Sequence, residues 1–229
     1  MTFGEFKALV CASNLEICRE TLHQTRDRIK IKKEKRVIEN LNRIFEATLR
    51  ISSRIGFQAM SMRNLSRESG LSMGALYTYF SSKEELLGMM QTCGQAVVHR
   101  TLDDQIKSAP DARSRLRLAI QTHLYLSETL QPWFFFFYME AKNLSREDRK
   151  RAIANELFTE KIFADLIALG KREKLFQVAD PVLTASVIKA MLQDWYLKRW
   201  KYRRRKVSPD EYCAFVIDFV ESYLCRRER

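Results

Sequence analysis

Apolar positions recur at helical spacing along successive segments of this chain. Leu41, Ile44, Phe45, Thr48, Ile51 and Ile55 mark one face of a helix that Gly56 stops. The stretch SMRNLSRESGLSMGALYTYFSSKEELL, residues 61–87, then reads as two short helices joined by a sharp turn. Ser61 is an N-cap for a helix reaching Ser69, with Met62 and Leu65 as its apolar positions. Gly70 follows, where a left-handed backbone ends a helix at least steric cost. Ser72 caps a second helix, Met73 to Tyr79. Ser81 and Ser82, with Glu84 and Glu85, make overlapping capping boxes for a third that runs from Lys83 past Val98. Leu65, Leu71, Leu76 and Phe80 pin the two short helices together. Ser72, Met73, Ala75, Tyr77 and Tyr79, small or hydroxylated residues, form the solvent side of the second. A helix entering the DNA major groove needs such a surface, with hydrogen-bond donors for phosphates at its flanks. A two-helix turn inside any helical bundle has the same pattern.

Before this unit, residues 4–24 carry Phe6, Leu9, Val10 and Ile17 on one side of a helix. That extension either packs on the body or reflects a start codon placed too early. After it, Pro110-Asp111 marks a break and a helix from Ala112 to Thr129 follows. Pro132 opens a short aromatic helix that ends near Ala141. Ser145-Arg146-Glu147-Asp148 is a capping-box sequence for a helix that reaches Leu169 and meets Gly170. Asp180-Pro181 and Ser208-Pro209-Asp210-Glu211 are two further starts, each an N-cap followed by proline at the first helical position. The helices they begin have broad apolar faces: Ile188, Met191, Leu192, Trp195 and Tyr196 on one, Tyr212, Phe215, Val216, Phe219, Val220 and Tyr223 on the other. A surface helix needs only a narrower stripe. The breadth points to burial against a partner or to packing within one chain.

Composition sharpens this. With 7 Gly and 4 Pro in 229 residues, long helices are favoured over strands and turns, so the expected fold class is all-α. The net charge is +12 and the pI near 9.6, which suits a polyanionic partner: nucleic acid, an anionic membrane surface or a phosphorylated ligand. Two basic runs stand out. RDRIKIKKEKR, residues 26–36, holds seven basic residues and leads straight into the first helix of the candidate DNA-binding unit, where basic arms track phosphates or the minor groove in several folds. A solvated helix face reads the same way. KRWKYRRRK, residues 198–206, has seven basic residues in nine and ends the helix that begins after Asp180. The five cysteines (Cys11, Cys18, Cys93, Cys213, Cys225) are scattered and odd in number, without metal-site spacing, and imply a reducing, cytoplasmic setting. Cys11 and Cys18 share one helical face and read as packing residues. Residues 1–25 lack a secretory signal. The run WFFFFYM, residues 133–139, is far short of the roughly 20 apolar residues a bilayer span needs, so no membrane partner is expected. The three histidines lie far apart, and there is no nucleophile elbow or glycine-rich phosphate loop, so neither an enzyme nor a cofactor is expected.

Residues 43–87 resemble the N-terminal domain of TetR-family transcriptional regulators. The positions that carry the resemblance are Gly56, Phe57, Gly70, Gly74, Leu76, Tyr77, Phe80, Lys83 and Glu84, in fixed order, ending in Tyr-x-x-Phe-x-x-Lys-Glu. The departures are Ser52, where a large apolar residue is usual, Ser66, where alanine is usual, and Tyr79 in place of histidine. The resemblance implies a three-helix helix-turn-helix DNA-binding domain, residues 31–87, joined to a helical ligand-binding and dimerisation domain, residues 88–229, behind an N-terminal helical extension, residues 1–30. It assigns Ser61, Tyr77, Tyr79 and Lys83 to phosphates. Arg63, Ser72, Met73, Gly74 and Ala75 are assigned to base contact or close approach: Arg63 reads guanine or holds a phosphate, and Ala75 meets a thymine methyl. Gly74 leaves room for the groove floor or is a packing position.

For the C-terminal half the resemblance implies a small-molecule effector pocket and a homodimer. The aromatic helix, with Trp133, Phe134, Phe137 and Tyr138, is the expected lining, closed by Phe163, Met191 and Trp195. Glu140 orients a polar ligand group or pairs with Lys142 or Arg199. In the resembled family the last two helices of each subunit form a four-helix dimer interface, which assigns Ile188, Leu192, Phe215, Val216, Phe219, Val220 and Tyr223 to it. The Arg199-Trp200 pair is similar to one in family members that respond to fatty acyl-CoA, whose phosphates need Arg or Lys and whose chain needs an apolar tunnel. The expected function is a ligand-responsive transcriptional repressor on a near-palindromic operator. The alternative is a basic DNA- or membrane-surface scaffold without an inducer.

Overall fold

Polar residues that cap helix ends set most of the elements. The computed structural model describes residues 1–9, 13–25, 33–141 and 146–225, and these form twelve helices and no strand. They are α1 Phe3–Leu9, α2 Asn14–Thr25, α3 Glu34–Ile55, α4 Met62–Ser69, α5 Met73–Leu76, α6 Lys83–Lys107, α7 Ala112–Thr129, α8 Gln131–Glu140, α9 Arg146–Arg172, α10 Pro181–Leu197, α11 Arg199–Arg204 and α12 Pro209–Leu224. Ser61, Ser72, Asp180 and Ser208 each accept a backbone N–H of the first turn, as their sequence context predicts, and so does Asp111, where the sequence marked only a break. At α6, Ser82 accepts the Glu85 N–H while the Glu85 carboxylate reaches back to the Ser81 N–H and hydroxyl. Cys11, Ser145 and most of the basic run 26–36 lie outside the described residues. Among the described residues no helix is long and apolar enough to cross a membrane.

The chain forms two compact units that cut across the expected domain boundaries. One comprises residues 11–97 and 132–152, the other residues 1–10, 98–131 and 153–229. In the first unit α3 turns Val37, Leu41, Ile44, Phe45, Ala47, Thr48 and Ile51 inward. α2 lays Ile17, Cys18 and Thr21 in the same core. α8 adds Trp133, Phe136 and Glu140, spaced by three and four. Trp133 meets Phe45 edge-on at 5.4 Å and donates its indole N–H to Asn14 Oδ1 at 2.9 Å, and Phe136 packs on Phe57 at 5.8 Å.

In the second unit α7 is the central element, buried on every side from Ala119 to Ser127 except Gln121. α10, α12 and α1 pack on it. α1 buries Phe6 completely; Phe3 and Phe6 both lie against Tyr125, and the Phe3 N–H donates to Asp210 at 2.8 Å. The N-terminal extension is thus divided, with α1 in one unit and α2 in the other.

Three elements differ from expectation. α5 stops at Leu76, and the Thr78 and Tyr79 N–H groups bond three residues back, to Ala75 and Leu76, tightening the last turn. α9 runs through Gly170 to Arg172. Glycine is needed there because the Phe176 ring occupies the space of a Cβ, 2.1 Å from its position. The chain breaks at Lys198, so the basic run is a separate short helix, α11.

Candidate nucleic-acid interface

The turn between α4 and α5 is fixed by local chemistry. Ser61 and Asn64 cap α4 reciprocally. Gly70 takes φ +66°, and Arg43 donates to its carbonyl at 3.0 Å, so close that a Cβ at position 70 would sit 2.6 Å from the guanidinium. The Ser66 hydroxyl donates to the Leu71 carbonyl at 2.6 Å, which gives the departure from alanine a role inside the turn. Glu68 ties α4 to α3 by accepting from Arg50 at 3.0 Å and Arg54 at 2.9 Å. Those two hydrogen bonds hold its carboxyl below the usual carboxylate range. Leu65, Leu76 and Phe80 are buried beneath.

With that underside fixed, the opposite face is bare. Ser61, Arg63, Ser72, Gly74 and Tyr77 are exposed, and Met73 and Ala75 are half-buried. Tyr77 is 53% exposed. Among the described residues, nothing beyond its own helix lies within 4 Å of where a Cβ at Gly74 would sit. Glycine at 74 is therefore not demanded by packing among the described residues. Thr78, which the sequence pattern did not single out, is exposed beside Tyr77 and donates its hydroxyl to Ala75. Lys33, Lys35, Arg36 and Arg67 add exposed charge to the same unit.

Two phosphate candidates have internal partners. Tyr79 is only 6% exposed, and its hydroxyl accepts from Asn40 Nδ2 at 2.9 Å. The tightened turn after Leu76 carries this ring into the core, correcting its expected place on the solvent side. Burial raises its pKa, with the Asn40 hydrogen bond opposing. Lys83 donates to the Gln58 carbonyl at 2.7 Å and lies 5.7 Å from the Phe57 ring centroid. It anchors the segment before α4 from the start of α6.

The effector candidates do not gather within either unit. Trp133, Phe134, Phe137, Tyr138 and Glu140 belong to the unit that contains α3, α4 and α5. There the Glu140 carboxylate, buried, accepts the Phe57 N–H at 3.1 Å. Tyr138 is exposed. Phe163, Met191 and Trp195 belong to the other unit. Phe163 faces His123 at 6.1 Å, and the Met191 carbonyl accepts the Tyr212 hydroxyl at 2.8 Å. Trp195 stacks on Tyr212 at 4.8 Å and donates to Glu128 at 3.0 Å. Arg199, expected as a phosphate ligand or a Glu140 partner, instead forms a two-pronged pair with Glu128, at 2.7 and 2.9 Å, over the Trp195 ring. Lys198 and Lys201 pair with Asp194. What remains open on α11 and its end is Trp200, Arg203, Arg204, Arg205 and Lys206.

The dimer candidates divide by face. Ile188, Leu192, Val216 and Val220 are buried inside their own chain, which corrects their assignment to a partner surface. Phe215, at 65% exposed, Phe219 and Tyr223 face outward on α12, and on α10 so do Val182, Leu183 and Val187. The sequence pattern missed those three because Ile188 and Leu192 drew attention to the opposite side of the helix.

Comparison with known proteins agrees with this architecture. Residues 44–90 match the family described as bacterial regulatory proteins, tetR family, and residues 109–224 match a tetracyclin repressor-like C-terminal domain. The chain is 29% identical over 181 residues to the HTH-type transcriptional regulator PksA of Bacillus subtilis, covering 78% of this chain and 87% of that protein. Among solved structures, FadR of Bacillus subtilis in complex with stearoyl-CoA superposes with a TM-score of 0.65 at 18% identity, over 79% of this chain and 97% of that one. A transcriptional regulator from Saccharomonospora viridis in complex with choline superposes with a TM-score of 0.68 at 20% identity, over 81% and 97%.

Proposed function

Because the chain belongs to the tetR family of bacterial regulatory proteins, we propose that it is a cytoplasmic, ligand-responsive repressor that binds a near-palindromic operator as a homodimer. The observation that carries this reading is the bare face of α4 and α5. Ser61, Arg63, Ser72, Gly74 and Tyr77 are exposed over a buried underside of Leu65, Leu76 and Phe80. Serine and tyrosine hydroxyls position the head on phosphates, while Arg63 and the open Gly74-Ala75 surface meet base edges.

The outward residues Leu183, Val187, Phe215, Phe219 and Tyr223 support dimer formation. Large apolar side chains left exposed together on two helices suit an interaction surface. A second copy pairing α10 and α12 with their counterparts buries it as a four-helix contact. Two copies present two reading heads, about one DNA turn or a small multiple apart, which requires a two-fold symmetric operator.

The effector is a small apolar or amphipathic molecule, with fatty acyl-CoA among the candidates, bound in the unit that contains α7 and α10. The two structural neighbours named above hold ligands of opposite headgroup charge, stearoyl-CoA and choline, so this chain's own side chains must set the class. Effector binding acts by favouring one arrangement of the second unit over another. The bias passes along α6, which is continuous from Lys83 to Lys107, and operator affinity falls.

The deciding experiment is binding of the full-length protein to its own upstream DNA and to a scrambled duplex at near-physiological salt. A preference of about a thousandfold or more establishes specific recognition. Equal, steeply salt-dependent binding to both means that basic charge alone holds DNA, as in the scaffold alternative.

A further inference from the structure

We propose that α11 and the turn after it form a docking surface for an anionic lipid bilayer, with Trp200 entering the headgroup region and Arg203, Arg204, Arg205 and Lys206 gathering acidic lipids around it. The attachment is peripheral, since among the described residues no helix is long and apolar enough to cross a membrane. The surface belongs to the unit without α4 and α5, and its reading does not depend on the operator or the effector.

The inner side of α11 is clamped, which fixes what its outer side presents. Arg199 holds Glu128 at 2.7 and 2.9 Å, and Lys201 and Tyr202 both donate to Asp194. The Tyr202 ring packs on Trp195 at 4.9 Å and on Tyr212 at 4.7 Å. Tyr202 is buried, whereas Trp200 is 66% exposed and makes no ring contact among the described residues. Arg203 and Arg204 stand three and four residues on from Trp200, which sets them beside the indole on one helix face. The turn that follows is closed by the Val207 N–H on the Tyr202 carbonyl at 3.0 Å and the Lys206 N–H on the Arg203 carbonyl at 3.1 Å. Lys206 occupies its left-handed position, φ 56°, where glycine is the ordinary residue. A cation therefore stands where the backbone favours glycine.

The acids of this neighbourhood are already engaged. Glu128 is taken by Arg199, and Asp194 by Lys198 and Lys201. Asp210 accepts the Phe3 N–H and the Tyr125 hydroxyl, and the Glu211 carboxylate turns back to the Ser208 N–H at 2.7 Å. Arg203, Arg204, Arg205 and Lys206 are all exposed, and no carboxylate pairs with them among the described residues. Four consecutive cations are thus left uncompensated beside an exposed indole.

Charge complementarity calls for a polyanion, and Trp200 selects which. An indole has an apolar body and one N–H, and it settles at the headgroup level of a bilayer. Arginine and lysine stems lie along the apolar boundary while their heads reach lipid phosphates. Groups of four or more such cations on an amphipathic surface bind acidic lipids. Duplex DNA offers phosphates to the arginines but keeps its bases stacked, so the indole has nothing to enter without unstacking them. A helix end that is basic only for solubility makes no use of the tryptophan.

The test uses the full-length protein with vesicles of phosphatidylcholine alone and of phosphatidylcholine mixed equally with phosphatidylglycerol. The readouts are flotation with the vesicles and tryptophan emission, for which Trp200 is the reporter because Trp133 and Trp195 are buried. The protein is expected to float with the acidic vesicles, with its emission shifted to the blue, and not with the neutral ones. Arg203→Gln combined with Arg204→Gln is expected to weaken acidic-vesicle binding about twentyfold or more and to leave operator binding unchanged. Lys171→Gln combined with Arg172→Gln removes the same charge from exposed positions at the end of α9 and is expected to cost about threefold at most. Trp200→Phe is expected to abolish the blue shift. The proposal is overturned by no binding to acidic vesicles, by equal losses from the two charge pairs, or by a blue shift that persists in Trp200→Phe. A loss of DNA affinity in the Arg203/Arg204 variant that matches its loss on vesicles assigns the patch to nucleic acid and overturns it as well.

Discussion

The Glu140 carboxylate at the end of α8 accepts the backbone N–H of Phe57, 83 residues earlier in the chain, at 3.1 Å. The aromatic helix thereby closes the turn that leads from α3 into the reading head. Glu140→Ala is expected to destabilise the protein by about 1–3 kcal/mol, because a buried donor loses a charged acceptor. Glu140→Gln keeps an acceptor and is expected to lose less. Urea unfolding of the two variants separates these outcomes, and equal losses contradict the assignment.

Gly74 offers the sharpest separation of stability from function. It lies in a helix with open space where a Cβ would be. Gly74→Ala is expected to leave the protein as stable as before or up to about 1 kcal/mol more stable, since alanine loses less backbone entropy in a helix. Operator affinity is expected to fall several-fold or more. A variant with unchanged affinity removes Gly74 from the interface.

Tyr77 and Tyr79 are expected to behave in opposite ways. Tyr77→Phe removes an exposed hydroxyl and lowers operator affinity at unchanged stability. Tyr79→Phe breaks the Asn40 hydrogen bond, costs about 1 kcal/mol and leaves affinity alone. Paired melting and DNA-binding measurements decide between them.

Phe219→Glu and Val216→Ala probe the two sides of α12. The first places a charge on the outward face and is expected to give a folded monomer by sedimentation, with weakened operator binding. The second opens a space in the subunit's own core and is expected to cost about 1–3 kcal/mol while the remaining folded protein stays dimeric. A folded Phe219→Glu dimer contradicts the proposed interface.

Glu221 accepts from both Arg113 and Arg117. Desolvation opposes, yet the two guanidinium groups hold its carboxyl down to about 2. A carboxyl depressed on folding contributes stability that is present above its unfolded value near 4.5 and lost as pH falls towards 2. Glu221→Gln is expected to flatten the fall in stability across that window. Because Arg113 and Arg117 are about half exposed, high salt is expected to shrink the difference.

What the sequence by itself determined was local. Capping serines and aspartates, Gly70 and the two Asp/Ser-Pro starts specify helix ends because a side chain reaches only a few residues along its own backbone. The ordered residues from Gly56 to Glu84 likewise disclosed the two-helix head, whose burial pattern comes from neighbours in the chain. Tertiary structure decided where each broad apolar helix spends its faces. The aromatic run of α8 packs with Phe45 and Phe57, and α12 turns Val216 inward and Phe215 outward, one residue apart. It also enclosed Lys189 and His123, which lie 66 residues apart in the chain. Apolar burial is non-directional and depends on which distant surfaces meet, so periodicity marks a face without naming its occupant.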